Sequence, residues 1–170
     1  MQAKHRVRLA AAVAFAAGAV ATGVGVASAG EDHRAHPDRC HDPAALERNK
    51  ANVVGFYTLA FNAGKPAEAV KRYVGATYIQ HNPFAADGPQ AFIEFVSAFK
   101  TANPGLNVDI KRVVAECDLV VTHSHVTVSP EDRGQAAADI FRLDENGKIL
   151  EHWDVVQPVP ETSANDNGMF

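Results

Sequence analysis

Two carboxylates and an imidazole lie close together in a predicted β-hairpin near the end of the chain. The dipeptide Asn146-Gly147 favours a two-residue type I′ turn, and in that register Asp139 lies opposite Asp154. A four-residue loop would instead pair Asp139 with His152. A three- or five-residue loop would separate the groups, because a slip of one residue exchanges the two faces of a strand. Both even-numbered loops therefore predict one face that carries Asp139, His152 and Asp154.

The same face is otherwise apolar, and the residues that surround the three groups are Phe141, Leu143, Leu150 and Val156. Unpaired charge in such surroundings is costly, so these groups must share protons or hydrogen bonds. Closely spaced carboxylates in an apolar site suit proton transfer near neutral pH. The cluster indicates either acid–base chemistry or a structural hydrogen-bond network.

Further candidates for a binding site lie upstream of the hairpin. Tyr57 lies on the apolar face of the first predicted helix, where its hydroxyl could reach a ligand or only a backbone group. Tyr78 begins an extended stretch that ends at Asn82-Pro83, and a loop there could aim His81 inward or use it as a cap. We take Tyr57, Tyr78 and Phe141 as candidate substrate-binding residues, and His81 as a candidate catalytic residue.

Two more histidines, His123 and His125, share one face of a predicted strand because a single residue separates them. The irregular turn after this strand does not define which face that is. They line a pocket, as substrate-binding residues, or they belong to a dimer surface. Trp153 is predicted to point away from the face that carries Asp154.

The elements that would position these groups follow an α+β pattern, with helices before strands. A helix begins after Asp42-Pro43 and ends at Asn62-Ala63-Gly64, a short helix covers about 66–73, and a third begins after Asp87-Gly88-Pro89. Residues 78–83 are predicted as an extended loop. Four strands that form an antiparallel meander follow, over 108–114, 119–128, 135–143 and 148–156.

The N-terminus has the three parts of a secretory signal peptide. Basic residues precede an apolar run over 9–26, and Ala27-Ser28-Ala29 matches a cleavage site. We expect removal of residues 1–29 and export to the periplasm or medium, with an uncleaved membrane anchor as the alternative. Cleavage removes three of the 16 Lys and Arg and none of the 20 Asp and Glu. The remaining acidic chain argues against nucleic acid and anionic membrane as partners.

Residues 30–43 are polar and lack periodicity, which predicts a flexible lead-in. The histidines of this segment fit no standard ligand template, so no metal site is predicted. Cys40 and Cys117 could form a disulfide in an oxidising compartment, which would tie the lead-in to the sheet; spacing alone does not decide this. Residues 161–170 are predicted to form a polar C-terminal tail.

Several of these segments together resemble SnoaL-like proteins of the polyketide cyclase type, in the nuclear transport factor 2 superfamily. The resemblance covers roughly residues 44–160, and its motifs are Asn62-Ala63-Gly64, Gln80-His81-Asn82-Pro83, 138–142 and Glu151-His152-Trp153-Asp154. It implies a cone-shaped, curved antiparallel sheet with three N-terminal helices that enclose a hydrophobic pocket for a small apolar molecule. It also implies chemistry without a metal or an organic cofactor, and a homodimer formed through the outer face of the sheet.

The resemblance also implies roles for single residues. Asp139 falls where ketosteroid isomerases place the protonated acid of their oxyanion hole, and Tyr57 where they place the partner tyrosine. Their general-base aspartate is matched by Asn82, which cannot take a proton, so steroid isomerisation is not expected. The cyclases use an aspartate deeper in the pocket as acid and base, which is matched by Asp154 or, failing that, by Asp139.

These expectations combine into one hypothesis with two rivals. In the first, an exported enzyme uses Asp154, helped by His152 or His81, to remove a proton next to a carbonyl group, and aldol cyclisation or isomerisation follows. Tyr57 and protonated Asp139 would donate hydrogen bonds to the enolate oxygen. In the second, the same pocket binds a small molecule without converting it. In the third, the domain is an interaction module that uses the sheet surface.

Overall fold

The computed structural model describes Cys40 and residues 42–170. The predicted signal peptide and nearly all of the predicted lead-in lie outside these residues. Within the described part, no helix is both long and apolar enough to cross a bilayer. Three α-helices and a five-stranded sheet make up the regular structure there.

Each of these helices begins at a proline, whose fixed φ angle and missing N–H suit the first helical position. Helix α1 covers Pro43–Tyr57 and is capped by the Asp42 side chain, which accepts a hydrogen bond from the Ala44 N–H at 3.0 Å. Helices α2 and α3 cover Pro66–Tyr73 and Pro89–Ala102.

Helix α1 continues directly into a π-helical turn over Thr58–Asn62. The amide of Asn62 then hydrogen-bonds the backbone of Val108, with its nitrogen 3.0 Å from the carbonyl oxygen and its oxygen 2.7 Å from the backbone nitrogen. This double contact fixes the end of the helix on the first residues of strand β2. The predicted stop at Asn62-Ala63-Gly64 is confirmed, and Asn62 has a docking role beyond termination.

The sheet is mixed rather than wholly antiparallel, which corrects the sequence-based prediction. Its strands are β1 Val74–Gln80, β2 Asn107–Glu116, β3 Leu119–Thr127, β4 Gln135–Leu143 and β5 Ile149–Pro158, in the spatial order β1-β5-β4-β3-β2. Strand β1 pairs parallel with β5, and the other pairs are antiparallel. The first half of the extended loop predicted over 78–83 is therefore the end of a strand. Its burial shows no simple alternation, and its partner lies about 70 residues away, so no local pattern marks it.

The β4–β5 hairpin has the predicted register around the candidate site but a different turn. Asp139 lies opposite Asp154, as the two-residue turn predicts. The register then shifts at the end of β4, so Leu143 faces Ile149 rather than Leu150. Ile149 is fully buried in the core in place of the expected Leu150.

The turn itself is longer because side chains bind its backbone from both sides. The Asp144 carboxylate accepts hydrogen bonds from the N–H groups of Asn146 and Lys148, both at 2.8 Å. From helix α1, the Asn52 amide donates to the Gly147 carbonyl oxygen at 2.8 Å. Gly147 has a positive φ of 77°, and a Cβ there would meet Asn52 and Arg48 side-chain atoms within 3 Å. Tertiary contacts thus override the local turn preference.

The core lies between the helices and one face of the sheet, which we call the inner face. Phe56 of α1 stacks on Phe92 of α3 at a ring-centroid distance of 4.9 Å and meets the edge of Phe141 of β4 at 6.5 Å. A disulfide joins Cys40 to Cys117 in the β2–β3 turn, across a sequence separation of 77 residues. These features give the α+β fold of helices over a curved sheet that the sequence predicts.

Candidate active site

Asp139 is the centre of a buried hydrogen-bond network on the inner face. The residue is 4 % exposed, and each of its side-chain oxygens accepts a hydrogen bond from a hydroxyl group. Tyr57 donates to Oδ1 at 2.7 Å from α1, and Thr122 donates to Oδ2 at 3.0 Å from the neighbouring strand β3. Thr122 reaches Asp139 because the two residues are paired across β3 and β4. Asp139 is thus placed as an acceptor and not as a free donor.

His152 adds an imidazole to the same network. Its Nε2 lies 3.1 Å from the Tyr57 hydroxyl oxygen and 3.3 Å from Asp139 Oδ1. On the other side of the ring, Nδ1 lies 3.0 Å from Gln80 Oε1. The ring packs between Phe141, at a centroid distance of 4.8 Å, and Tyr78, at 6.4 Å with nearly parallel planes. Strand pairing explains the position, since His152 faces both Phe141 of β4 and Gln80 of β1.

The contacts around Asp139 imply that one proton is shared with His152. The Tyr57 hydroxyl has a single hydrogen, and its shorter contact is to Asp139. The Nε2 of His152 can then bond its two oxygen neighbours favourably only if a hydrogen lies on Nε2 or on the Asp139 carboxyl group. Because the Gln80 oxygen also requires a hydrogen on Nδ1, the pair is either an imidazolium beside a carboxylate or a neutral Nδ1–H imidazole beside a carboxylic acid. In both forms the proton lies deep in a low-dielectric environment.

The two buried tyrosines remain neutral donors over a wide pH range. Burial raises the pKa of Tyr57 well above its usual range, and the charge of Asp139 adds to this effect. Burial also raises the pKa of Tyr78, and the negative charges of Asp139 and Asp154 raise it further. A hydrogen bond with Gln80 lowers this pKa and partly offsets the other effects. Tyr57 can thus donate a hydrogen bond without losing its proton.

Asp154 is the acidic group of the cluster that solvent can reach. It is half-buried, whereas Asp139, His152 and Tyr57 are each at most 6 % exposed. Both Asp154 oxygens lie close to the amide nitrogen of Asn82, at 2.9 and 2.7 Å. Asp139, His152 and Asp154 each have one side-chain nitrogen or oxygen atom that lies within 4.8 Å of those of the other two. Asp154 therefore combines access with proximity to the buried proton.

The same three side chains, Asp139, His152 and Asp154, each offer one atom that could bind a metal ion. Both oxygens of Asp139, however, already accept hydroxyl hydrogens from Tyr57 and Thr122. A carboxylate oxygen has two lone pairs, so a metal ion could leave these bonds intact but would have to replace the hydrogen between His152 Nε2 and Asp139. The network as built suits the holding of a proton better than the binding of a cation.

His81 does not join this cluster. Since Gln80 is paired with His152 across the parallel strands, Gln80 points to the inner face and His81 to the outer one. There its Nε2 contacts Glu151 Oε1 at 2.7 Å, and its ring stacks on Trp153 at 4.7 Å. In the structure His81 therefore lies on the outer face and not beside Asp139, and Trp153 points away from the face of Asp154, as predicted.

His123 and His125 also lie on the outer face. The buried side chains next to them on β3 are Thr122 and Ser124, so strand alternation directs the histidines outward. Their rings contact the ring of the C-terminal Phe170 at 5.6 and 4.4 Å. They are thus not placed to line a site beside Asp139. Of the candidate substrate-binding residues, Tyr57, Tyr78 and Phe141 are near the cluster.

The sequence did not indicate Gln80 and Thr122 as partners of the cluster, and it indicated Asn82 only as a residue that cannot act as a base. Each lies in a segment that attracted attention for another residue. Gln80 and Asn82 flank His81, and Thr122 immediately precedes His123. The signal that could have found Gln80 and Thr122 is strand alternation. When a histidine of a strand points to the outer face, the residues directly before and after it point to the inner face.

The chain shares its fold with proteins that carry a SnoaL-like domain, and the profile of that domain matches residues 53–152. A candidate polyketide cyclase from Bacillus cereus is 20 % identical, with a TM-score of 0.56 over 64 % of this chain and 74 % of its own. A candidate SnoaL-like polyketide cyclase from Jannaschia is 18 % identical, with a TM-score of 0.55 over 68 % and 88 %. An epoxide hydrolase from M. tuberculosis is 17 % identical, with a TM-score of 0.52 over 66 % and 84 %. No curated protein matches the chain in sequence.

Proposed function

Because the chain belongs to the SnoaL-like family, we propose that it is a cofactor-independent enzyme that moves a proton on a small, largely apolar carbonyl compound. Aldol cyclisation or isomerisation would be the outcome. Solved proteins of this fold that are named as cyclases or as an epoxide hydrolase support conversion of a small molecule. The fold alone supports no finer choice, since one fold hosts many reactions.

The proposal rests mainly on the accessibility of Asp154 to solvent. A base that acts on a substrate must be reachable, and Asp154 is half-buried beside three fully buried polar groups. Its hydrogen-bond partner Asn82 is an uncharged amide, which holds the carboxylate in place without neutralising its charge. Asp154 would remove the proton from the carbon next to the carbonyl group, and the electron pair would move to the carbonyl oxygen.

The buried network would stabilise the enolate oxygen that forms in this step. Tyr57 would be the donor when its single hydrogen turns from Asp139 to the enolate oxygen, and Nε2–H of His152 would then bond Asp139 in its place. Protonated Asp139 was expected to donate to the enolate directly. The geometry instead supports a role for Asp139 in holding the proton of His152, since both of its oxygens accept other bonds. Such preorganised donors are a large source of catalytic power.

In the cyclisation form of the proposal, the enolate carbon attacks a second carbonyl carbon of the same molecule. The new alkoxide then takes back the proton that Asp154 had removed, so no external oxidant or co-reactant is needed. In the isomerisation form, the proton returns to a different carbon. Both forms leave Asp154 as it began.

The test is untargeted mass spectrometry of host extract incubated with the purified protein, with Asp154→Asn and with Asp166→Asn. We expect wild type and Asp166→Asn, a change of an exposed tail residue, to consume the same metabolite. Asp154→Asn should lower the rate at least about 100-fold, the lower end of what a positioned base contributes. Equal consumption by Asp154→Asn and wild type would refute the assignment of the base.

A binding protein without catalysis is the second candidate, and one observation favours it. The buried polar atoms of Asp139 are fully hydrogen-bonded within the protein, as in a structural network. In that case a compound would co-purify unchanged with wild type and with Asp154→Asn. A product that has gained water would instead indicate hydration, the reaction suggested by the name of the M. tuberculosis epoxide hydrolase.

We also propose export and dimerisation. Export rests on the signal-like sequence of residues 1–29, and the mass of protein recovered from periplasm or medium would show cleavage before Gly30. Dimerisation is supported by exposed apolar side chains on the outer face of the sheet, namely Val114, Leu119, Ile140 and Val155. Light scattering of the purified protein would give the number of subunits.

A further inference from the structure

Hydrogen bonds made by His152, Gln80 and Asn82 connect the buried carboxyl group of Asp139 with the accessible carboxylate of Asp154. His152 Nε2 lies 3.3 Å from Asp139 Oδ1, and its Nδ1 lies 3.0 Å from Gln80 Oε1. The same Gln80 oxygen lies 2.9 Å from the backbone nitrogen of Asn82, whose side-chain amide reaches Asp154. A short segment at the end of β1 therefore contacts both halves of the cluster.

The orientation of the Gln80 amide is determined by its neighbours. The backbone N–H of Asn82 is a donor only, so the side-chain atom that faces it must be the oxygen of Gln80. That oxygen is also the neighbour of His152 Nδ1. An oxygen acceptor requires a hydrogen on Nδ1, which selects one of the two tautomers of the neutral ring. Consequently Nε2 is the nitrogen that gains and loses the proton, and it faces Tyr57 and Asp139.

Asn82 is oriented in a similar way. Its Oδ1 accepts a hydrogen bond from the Phe84 N–H at 2.8 Å, which leaves its Nδ2 directed at Asp154. Pro83 follows Asn82 directly, and it restricts the backbone of the residue before it to extended conformations. The geometry of the strand end and the loop thus fixes two amide groups, one for each side of the cluster.

We propose that Gln80 is a positioning residue of the candidate site: it holds the Nδ1–H form of His152 and so directs the exchangeable proton to Nε2. Gln80 need not touch a substrate for this, since it acts through His152. The effect on turnover rests on the proposed function. The state of the His152 ring does not, and it can be measured in the absence of any substrate.

The first experiment is ¹⁵N NMR of histidine-labelled protein, with the His152 signals identified by their loss in His152→Gln. We expect Nδ1 of His152 to carry a hydrogen in wild type, whether the ring is neutral or charged. In Gln80→Leu, the Nδ1 hydrogen should exchange faster with water and the Nε2–H tautomer should appear. Gln80→Glu offers the same acceptor and should retain the Nδ1 hydrogen.

Gln157→Leu is the matched control, because Gln157 is an exposed residue of β5 outside the network. It should leave the His152 signals unchanged. An unprotonated Nδ1 in wild type would overturn the proposal, as would His152 signals in Gln80→Leu that equal those of wild type.

The second experiment measures turnover of the metabolite found with wild-type protein. Gln80→Leu should lower kcat about 100-fold with a smaller change in KM, and Gln80→Glu should recover most of the loss. Unchanged kcat in Gln80→Leu would remove the catalytic part of the proposal. If wild type converts no metabolite, the proposed function fails, and the NMR result still decides whether Gln80 sets the tautomer.

Discussion

Two clusters of the same residue types lie back to back on strand β5 and differ in how they balance charge. On the inner face, His152 contacts Asp139 and Tyr57. On the outer face, His81 contacts Glu151 at 2.7 Å, and the guanidinium of Arg142 contacts the other oxygen of Glu151 at 2.9 Å. The outer carboxylate thus has a permanent cation, whereas the inner carboxylate has hydroxyl groups and an imidazole that can gain or lose a proton.

The two clusters also differ in how deeply they are buried. The His81 side chain is 40 % exposed, whereas the side chains of both inner partners are almost fully enclosed. Trp153 covers the outer cluster, with the His81 ring at 4.7 Å and the Arg142 guanidinium at 5.5 Å from its centroid. The same residue types thus form a buried hydrogen-bond network on the inner face and an ion pair between Arg142 and Glu151 on the outer face.

Removal of the inner carboxylate should have the largest effect on folding. Asp139→Ala leaves the hydroxyls of Tyr57 and Thr122 and the Nε2 of His152 without their common partner. We expect the free energy of unfolding to fall by about 3–5 kcal/mol, the range for a broken buried pair. Urea denaturation followed by circular dichroism would measure it. A loss below about 1 kcal/mol would show that the network is not the buried hub described above.

Tyr57→Phe should have an intermediate effect, because it removes one hydrogen bond to a charged or proton-sharing group. We expect a loss of about 1.5–3 kcal/mol near neutral pH, measured by the same denaturation. The Tyr78→Phe variant serves as the matched control, since it changes a buried tyrosine that lacks the contact with Asp139 Oδ1. An equal loss in both variants would contradict a special role for the Tyr57–Asp139 bond.

The same tyrosines make stability depend on pH under alkaline conditions. Burial raises the pKa values of Tyr57 and Tyr78, so above about pH 10 the unfolded chain loses a proton that the folded chain keeps. Each tyrosine should then lower the free energy of unfolding by about 1 kcal/mol between pH 10 and 11, and the loss should be small below about pH 9. The fall over this pH range should be smaller in Tyr57→Phe by about 1 kcal/mol. Identical slopes would contradict the buried neutral state.

Substitutions in the outer cluster should change the free energy of unfolding least. His81→Ala removes a partly exposed contact while Arg142 still neutralises Glu151. We expect a loss of at most about 1 kcal/mol, because partly exposed pairs contribute little. Turnover should remain that of wild type. A large fall in turnover for His81→Ala would erase the contrast between the two faces and restore His81 as a catalytic candidate.

The sequence predicts the local parts of this arrangement well and the long-range parts poorly. The helix ends at residues 42–43 and 62–64, and the pairing of Asp139 with Asp154, follow from capping and turn chemistry and are found in the structure. Strand β1 was missed because its partner β5 is distant in sequence and parallel. Without β1, no residue pattern indicates that Gln80 faces His152.

The same limit explains the histidines. Alternation shows that His123 and His125 share a face, but only the pairing of Thr122 with Asp139 shows which face that is. His81 could be placed only through the register of β1 with β5. The Cys40–Cys117 disulfide is likewise a matter of three-dimensional approach, and it is found in the structure where spacing left it open.

The central claim is that Asp154 is the reachable base beside a buried proton, and isotope incorporation tests it most directly. Host extract would be incubated in deuterated water with wild type, Asp154→Asn or Asp166→Asn, and the consumed compound and its product analysed by mass spectrometry. We predict that wild type and Asp166→Asn place deuterium on a carbon next to a carbonyl group, and that Asp154→Asn does so at least about 100-fold more slowly. Deuterium incorporation by Asp154→Asn at the wild-type rate would contradict the account.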